Sequence, residues 1–341
     1  MESITQALLG AAVGEVILGK KVGNKAPLWG ATAGIIPDLD VIPGQFMETV
    51  AGMAFHRGFS HSLLFAVAVA PLAGWLIQKI HKNGPTVWRD WAVLYFWGIA
   101  THILLDCFTT WGTQVFWPLD YRVAWNTIFV IDPLYSVPLA AFTLALMFQR
   151  PGSARRIRLG YLGLLISSIY LLITVVNKQI AHRAFETALA EQGIEYLRYN
   201  SRPTPFNTIL WSVTVETEDG FYEGYYSLLD RQRNTHFTYM EKNHHLIDKI
   251  ENFNNIRRLI ELTKGYYTLD TWEHGILIND LRFGVFNGWQ EGGGHFVFSY
   301  RVHLPQNPRE NTDRLQVERI RNVTTPDRQT LIQFWKRVTG A

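Results

Sequence analysis

The sequence predicts an α-helical membrane bundle of about six segments, followed by a C-terminal α+β domain with an antiparallel sheet. Three observations carry this prediction. The near-zero mean hydropathy of the 341 residues hides a sharp division: apolar stretches such as 63–80, 91–103 and 159–176 dominate the chain up to Asn177, and no run long enough to span follows. Trp29, Trp88, Trp91, Trp111, Trp117 and Trp125 stand near the ends of apolar stretches, as the aromatic belts of a bilayer interface do. From Phe206 onward the pattern changes to short β-rich runs with period-two alternation.

The membrane segments are expected at about 4–19, 27–43, 62–80, 91–108, 127–148 and 159–177. The first two are short and rich in glycine, so they either tilt little or form a re-entrant hairpin. Gly10 and Gly14, like Gly30 and Gly34, are four residues apart, and each pair leaves a smooth stripe where another helix can approach closely. A secretory signal needs a positive start, but Glu2 stands there and Lys20 and Lys21 come only after the apolar stretch; residues 4–19 therefore read as a retained membrane segment.

Orientation follows from the loops. Lys20, Lys21 and Lys25, then Lys79, Lys82 and Arg89, then Arg150, Arg155, Arg156 and Arg158 fill loops one, three and five, whereas loops two and four hold Arg57 and Arg122 alone. Basic loops stay cytoplasmic. The expected topology is thus a membrane crossed several times, with everything after Asn177 on the outer side.

The division is 1–177 for the membrane-embedded domain, 178–204 for an amphipathic helix and linker, and 205–341 for an extramembrane α+β domain. Ala181, Phe185, Ala188 and Leu189 share one side of the expected helix 178–199, which Arg202-Pro203-Thr204-Pro205 is expected to break. Strands are expected at 208–216, 222–229, 235–239, 275–282 and 295–303, and helices at 245–262 and 327–337. A net charge of +3, with no Lys/Arg run interleaved with aromatics, gives no support to nucleic-acid binding. The single Cys107 reads as a small apolar filler.

Four clusters place ionisable groups at or inside membrane segments, where each costs free energy unless paired or bound. In Pro37-Asp38-Leu39-Asp40, a turn after Pro37 can present both carboxylates to one cation, or Asp38 can cap a helix and Asp40 be solvated. In His56-Arg57-Gly58-Phe59-Ser60-His61-Ser62, Gly58 permits a bend that brings His56 beside His61, and Ser60 reads as an N-cap. In Thr101-His102-Ile103-Leu104-Leu105-Asp106, His102 and Asp106 lie at i and i+4 on one helix face, a spacing that metal-binding helices use. Asp132, before Pro133, is either a further ligand or acceptor, or a helix cap. The orientation read from lysines and arginines puts all four clusters at one face. Such a set suits a one-metal or two-metal hydrolytic site.

These motifs, with Thr109-Thr110-Trp111-Gly112 and Trp117-Pro118 after them, resemble the YdjM-type family of bacterial inner-membrane proteins, described as metal-dependent hydrolases and in some cases as LexA-binding. The resemblance covers roughly residues 1–145 and supports Asp38, Asp40, His56, His61, His102 and Asp106 as the polar site. Many members carry a His in a Thr-His pair near the N-terminus; here Thr5 is followed by Gln6. Pro205-Phe206-Asn207 and Leu210-Trp211 resemble extensions found in some relatives.

The expectation is a membrane-bound, metal-dependent hydrolase acting on a lipid or lipid-linked ester or phosphodiester. Its divalent metal would be zinc first, with manganese or magnesium as alternatives, on ligands drawn from Asp38, Asp40, His56, His61, His102, Asp106 and Asp132. Asp38 and Asp40 either bind a second ion or act as base, and Arg57 either steadies a developing anion or anchors at the interface. Membrane lipid, and a protein held by the C-terminal domain, are the expected partners. The rival reading is a non-enzymatic scaffold or regulator with a structural metal site; ion transport is a third.

Overall fold

The computed structural model describes residues 1–231, 235–290, 294–304, 313–321 and 327–340. The chain divides into two compact units, one of residues 1–46, 55–175 and 205–207, the other of 47–54, 176–204 and 208–341.

The first unit is helical. Helix α1, Ser3–Val22, starts where the Glu2 carboxylate accepts from the Thr5 amide at 3.2 Å, and ends at Gly23 with Lys20 and Lys21 facing the negative end of its dipole. Helix α2, Lys25–Ile35, runs into a 3-10 turn at Ile36–Asp40 and the short α3, Val41–Gly44. Pro37 gives that turn its start, since its missing N–H is an orphan there anyway. Helix α4 is Thr49–Phe55, α5 Leu63–Ile80, α6 Trp88–Cys107, α7 Pro133–Met147 and α8 Ala154–Glu191. The cap of α5 is Ser62, whose Oγ accepts from the Phe65 amide at 3.1 Å, rather than Ser60.

Among the described residues, two helices are long and apolar enough to cross a bilayer: α5 and α8. Only 22 % of the apolar window of each is buried, so their hydrophobic side chains face outward, as lipid-facing spans require and a soluble core helix would not. Helices α1 and α6 reach 20 residues but carry Glu15, Lys20 and Lys21, and Arg89, Asp90, His102 and Asp106. The second expected segment shortens to the 11 residues of α2, about 17 Å, well under a bilayer's hydrocarbon thickness.

Glycine stripes join α1 to α2. A Cβ on Gly10 would lie 2.2 Å from the Gly30 carbonyl oxygen, and one on Gly14 would lie 2.4 Å from that of Ala26, so the two backbones touch along this line. Deep in the bundle, the Arg156 guanidinium grips Glu15 through Nε at 2.7 Å and Nη2 at 2.6 Å, and also bonds Asn24. This buried charge is fully matched and ties α8 to α1.

The second unit holds two antiparallel four-stranded sheets in sequence order. The first is β1, Arg198–Pro203, β2, Leu210–Glu216, β3, Gly220–Ser227, and β4, Phe237–Glu241; the second is β5, Tyr267–Trp272, β6, Gly275–Phe286, β7, His295–His303, and β8, Gln316–Arg321. Helices α9, Asn254–Thr263, and α10, Arg328–Val338, accompany them. The expected separate helix over 178–199 is instead the end of α8. Gly193 takes a left-handed φ of 65°, and the Ile194 amide returns to the Leu189 carbonyl, a helix-ending geometry that glycine accepts without strain. The expected break at Arg202-Pro203 lies within β1, paired with Ser212 and Trp211 of β2. Pro203, the last residue of β1, fits an edge strand. Ala181, Phe185, Ala188 and Leu189 do share one face: all are buried against Trp211, Val213 and Val215. Strand β2 is buried along its whole length even though Trp211-Ser212-Val213-Thr214-Val215-Glu216 alternates apolar with polar residues, so its polar face is covered as well.

Two outcomes follow. Gly30→Val forces a branched side chain onto backbone and is expected to cost about 1–3 kcal/mol or more, read as a lower unfolding midpoint of the solubilised protein, whereas Leu28→Ala, at an exposed site on the same helix, stays within about 0.5 kcal/mol. Burial, aided by the Lys178 ammonium, pushes the His182 imidazole down from 6.5 to about 4, with Nε2 2.6 Å from Ser201 Oγ. The unfolded chain therefore binds this proton first, and the stabilising effect of neutral His182 is present above about pH 6.5 and lost as pH falls toward 4. Thermal unfolding across that window should shift less in His182→Gln than in the parent; equal shifts would remove His182 from the account.

Candidate metal site

One end of the first unit collects the polar groups, because α1 begins there, α2 ends there, α5 begins there and α6 ends there. Opposite them, the Lys21 ammonium of α1 meets Asp90 at the start of α6 at 2.8 Å, which fixes the other end. The 3-10 turn after α2 carries Asp38, a second 3-10 turn at Phe59–His61 carries His61, and the last turns of α6 carry His102 and Asp106 on one face.

Four atoms converge. His61 Nε2 lies 3.4 Å from Asp38 Oδ1 and 3.4 Å from Asp106 Oδ2. His102 Nε2 lies 3.6 Å from Asp38 Oδ1, 3.4 Å from Asp106 Oδ2 and 3.1 Å from His61 Nε2. A tetrahedral ion with bonds of about 2.0–2.1 Å has ligand-to-ligand edges of about 3.3–3.4 Å. The five separations scatter around that value, so the residues fit a divalent cation.

The hydrogen bonds on the far side of each ring give the same answer. His102 Nδ1 is 2.6 Å from the Gly34 carbonyl oxygen, an atom that can only accept, so Nδ1 carries the proton and Nε2 presents a lone pair. His61 Nδ1 is 3.0 Å from Ser60 Oγ, whose own hydrogen goes to Asp40 Oδ2 at 2.7 Å; this again leaves Nε2 as the acceptor. Two lone pairs and two carboxylate oxygens thus point at one another in a buried space, where Asp106 Oδ2 has the Arg57 Nε at 3.2 Å but outside hydrogen-bond geometry. A cation bound among them would satisfy all four.

The remaining predicted residues stand one step back or apart. Asp40 does not join Asp38. It lies on the Nδ1 side of His61 and accepts from the Arg57 amide at 3.0 Å and Ser60, while His56 Nδ1 is 2.8 Å from its other oxygen. Those imidazoles hold the Asp40 carboxyl below the usual carboxylate range, against the upward pull of burial. His56 is therefore engaged with Asp40 rather than paired with His61 at the converging atoms. Asp132 is apart altogether: it caps α7, accepting from the Leu134 amide at 2.9 Å and the Tyr170 hydroxyl at 2.8 Å, the capping alternative of the two that its sequence left open.

Arg57 is neither solvent-facing nor an interfacial anchor. Its side chain is buried, with Nε 3.2 Å from Asp106 Oδ2 and Nη1 donating to Thr109 Oγ1 at 2.7 Å. The bend expected at Gly58 is made by Arg57 itself, which takes a left-handed φ of 59°. For a non-glycine residue that conformation costs of order 1 kcal/mol, held here by the Asp40 bond and the ion pair with Asp106.

Sequence reasoning missed several groups. Gln6 Nε2 donates to Asp106 Oδ1 at 3.0 Å and to the His102 carbonyl at 3.3 Å; Ser3 Oγ reaches Asp38 Oδ2 at 3.2 Å; and the Met1 α-amine contacts Asp106 Oδ1. The Thr5-Gln6 departure was a usable signal for Gln6. Nothing in the spacing pointed to the Gly34 carbonyl.

The sequence profile of the family described as YdjM inner membrane protein matches residues 1–181, more than half of the chain. This chain belongs to the YdjM inner membrane protein family. It is also 28 % identical over 142 residues to the inner membrane protein YbcI of Escherichia coli (strain K12), a match covering 42 % of this chain and 78 % of that relative. No solved structure matches the chain. The family places the chain in the inner membrane, and within the YdjM region lie all four converging side chains.

For this YdjM-family chain, His102→Ala and Asp106→Asn are each expected to take bound metal, measured by elemental analysis of purified protein, from about one ion to none. Asp132→Asn should keep the ion and lose only about 1 kcal/mol of stability with its helix cap. Metal retained in full by both of the first two variants would remove the site.

Proposed function

We propose that this protein is a metal-dependent hydrolase of the inner membrane, acting on a lipid or lipid-linked ester or phosphodiester at the periplasmic face, with its C-terminal unit on that side as the selector of substrate or protein partner. The carrying observation is the convergence of Asp38, His61, His102 and Asp106 at one end of a bundle that holds two apolar, outward-facing helices. Support for the periplasmic face comes from the basic residues: Lys20, Lys21, Lys25, Lys79, Lys82 and Arg89 lie in or within a turn of the connections at the other end. Two nitrogen and two oxygen donors at this spacing suit zinc first.

When bound, a divalent ion lowers the pKa of a coordinated water and polarises the scissile group. The chain's own residues supply the rest. Asp38 is the most accessible of the four, its side chain 13 % exposed where the other three are fully buried, so substrate approaches from its side. Its Oδ2, steadied by Ser3, is placed to take a proton from an incoming water. Arg57 balances Asp106, Asp40 orients His61 through Ser60, and Gly34 orients His102, so the ligands are set before substrate arrives.

A second reading has an observation of its own. Four side chains converge, as many as a closed structural metal site uses, which favours a scaffold or regulator that an ion would stabilise. Purified full-length protein assayed on inner-membrane lipid extracts separates the two. The hydrolase reading expects turnover that chelation abolishes and added zinc restores, with Asp38→Asn lowering kcat at least a hundred-fold. Metal-loaded protein that turns over neither phosphodiester nor ester lipids, while chelation lowers its unfolding midpoint, would establish the scaffold instead.

A further inference from the structure

We infer that the outer seam between α5 and α6 binds an anionic phospholipid, its phosphate on Lys79 and Lys82 and an acyl chain in the groove above them. The inference is independent of the metal site: Leu63 and Lys79 are sixteen residues apart on α5, about 24 Å along the axis.

The two helices are antiparallel neighbours joined by residues 81–87, and Gly74 pinches them together. A Cβ there would lie 2.5 Å from the Trp88 carbonyl oxygen and 2.7 Å from the Ala92 amide nitrogen. Beside this pinch the seam opens twice. Toward the bilayer centre, Val67 and Pro71 of α5 and Val93 and Trp97 of α6 line an apolar groove of about 240 Å³. At the loop end, Trp75, Gln78, Lys79, Lys82 and Trp88 line a hollow of about 340 Å³. Pro71 and Trp75 are one turn apart on the same face of α5, as Trp88 and Ala92 are on α6, so both hollows follow one line. Val67, Trp75, Val93 and Trp97 are exposed, on a surface that lipid reaches.

Charge selects the occupant. The Lys79 ammonium sits 3.4 Å over the Trp75 ring, and neither Lys79 nor Lys82 has a carboxylate partner among the described residues. The acid of this connection, Asp90, is already held by Lys21 and by the Val87 amide. Two unmatched ammoniums beside two interfacial tryptophans, continuous with a hydrocarbon-lined groove, complement a phosphate joined to an acyl chain. A zwitterionic lipid would bring a cation of its own to meet the lysines.

The test uses delipidated full-length protein in detergent and follows binding of phosphatidylglycerol and phosphatidylcholine by native mass spectrometry. Phosphatidylglycerol should bind more tightly. Lys79→Gln/Lys82→Gln should weaken it about twenty-fold, and Val93→Trp, which fills the groove while leaving the lysines, should also weaken it several-fold. Excess inorganic phosphate should fail to displace it. Both variants should keep the metal content of the parent, a control for folding at a distant place. Equal binding of the two lipids, or unchanged affinity in the double variant, overturns the proposal. Full displacement by phosphate together with unchanged affinity in Val93→Trp overturns it as well, leaving a plain anion site.

Discussion

Four electron-rich atoms from three parts of the chain meet in one buried space, and the ends of four helices are arranged around that meeting. Left alone, the facing lone pairs of His61 and His102 and the oxygens of Asp38 and Asp106 would repel at low dielectric. Folding holds them there only because each is anchored from behind. The Gly34 carbonyl can reach His102 because α1 and α2 touch backbone to backbone along their glycines, bringing the end of α2 against α6. The same contact sets the first turns of α1, with Ser3 and Gln6, over Asp38 and Asp106.

The layer behind the ligands spends local stability on geometry. Arg57 accepts a left-handed backbone and a buried guanidinium, and in return one residue fixes both the loop before His61 and the charge beside Asp106. Asp40 is equally economical, reading Arg57, Ser60 and His56 at once. A carboxylate with so many donors is poorly suited to ligation but well suited to keeping an imidazole in one tautomer.

The second unit follows a different logic. Its core takes the polar end of α8 as its own face, which is why a helix that begins among lipid-facing leucines continues as Ala181, Phe185 and Leu189 beneath β2. Buried charges there are matched in place: Arg202 bonds Glu223 at 2.7 Å, and Arg282 grips Asp280 with two nitrogens. Such closed pairs contribute order rather than chemistry.

Local pattern alone determined a good deal. Apolar runs marked α5 and α8, the i to i+4 spacing placed His102 and Asp106 on one face, and alternation found β4, β6 and β7 to within a few residues. Asp38, His61, His102 and Asp106, which converge, were among the ionisable groups singled out because such groups beside membrane segments are costly and therefore informative. The sorting of those groups was not legible. Where Asp40 and Asp132 stand, and which side of His61 faces Asp38, His102 and Asp106, depends on contacts across tens of residues, such as Gly34 with His102 and Arg57 with Asp106. Sequence periodicity carries the angle of a side chain about its own helix. It does not carry the height and rotation of one helix against another, and at hydrogen-bond range a shift of an ångström decides which atom is bound.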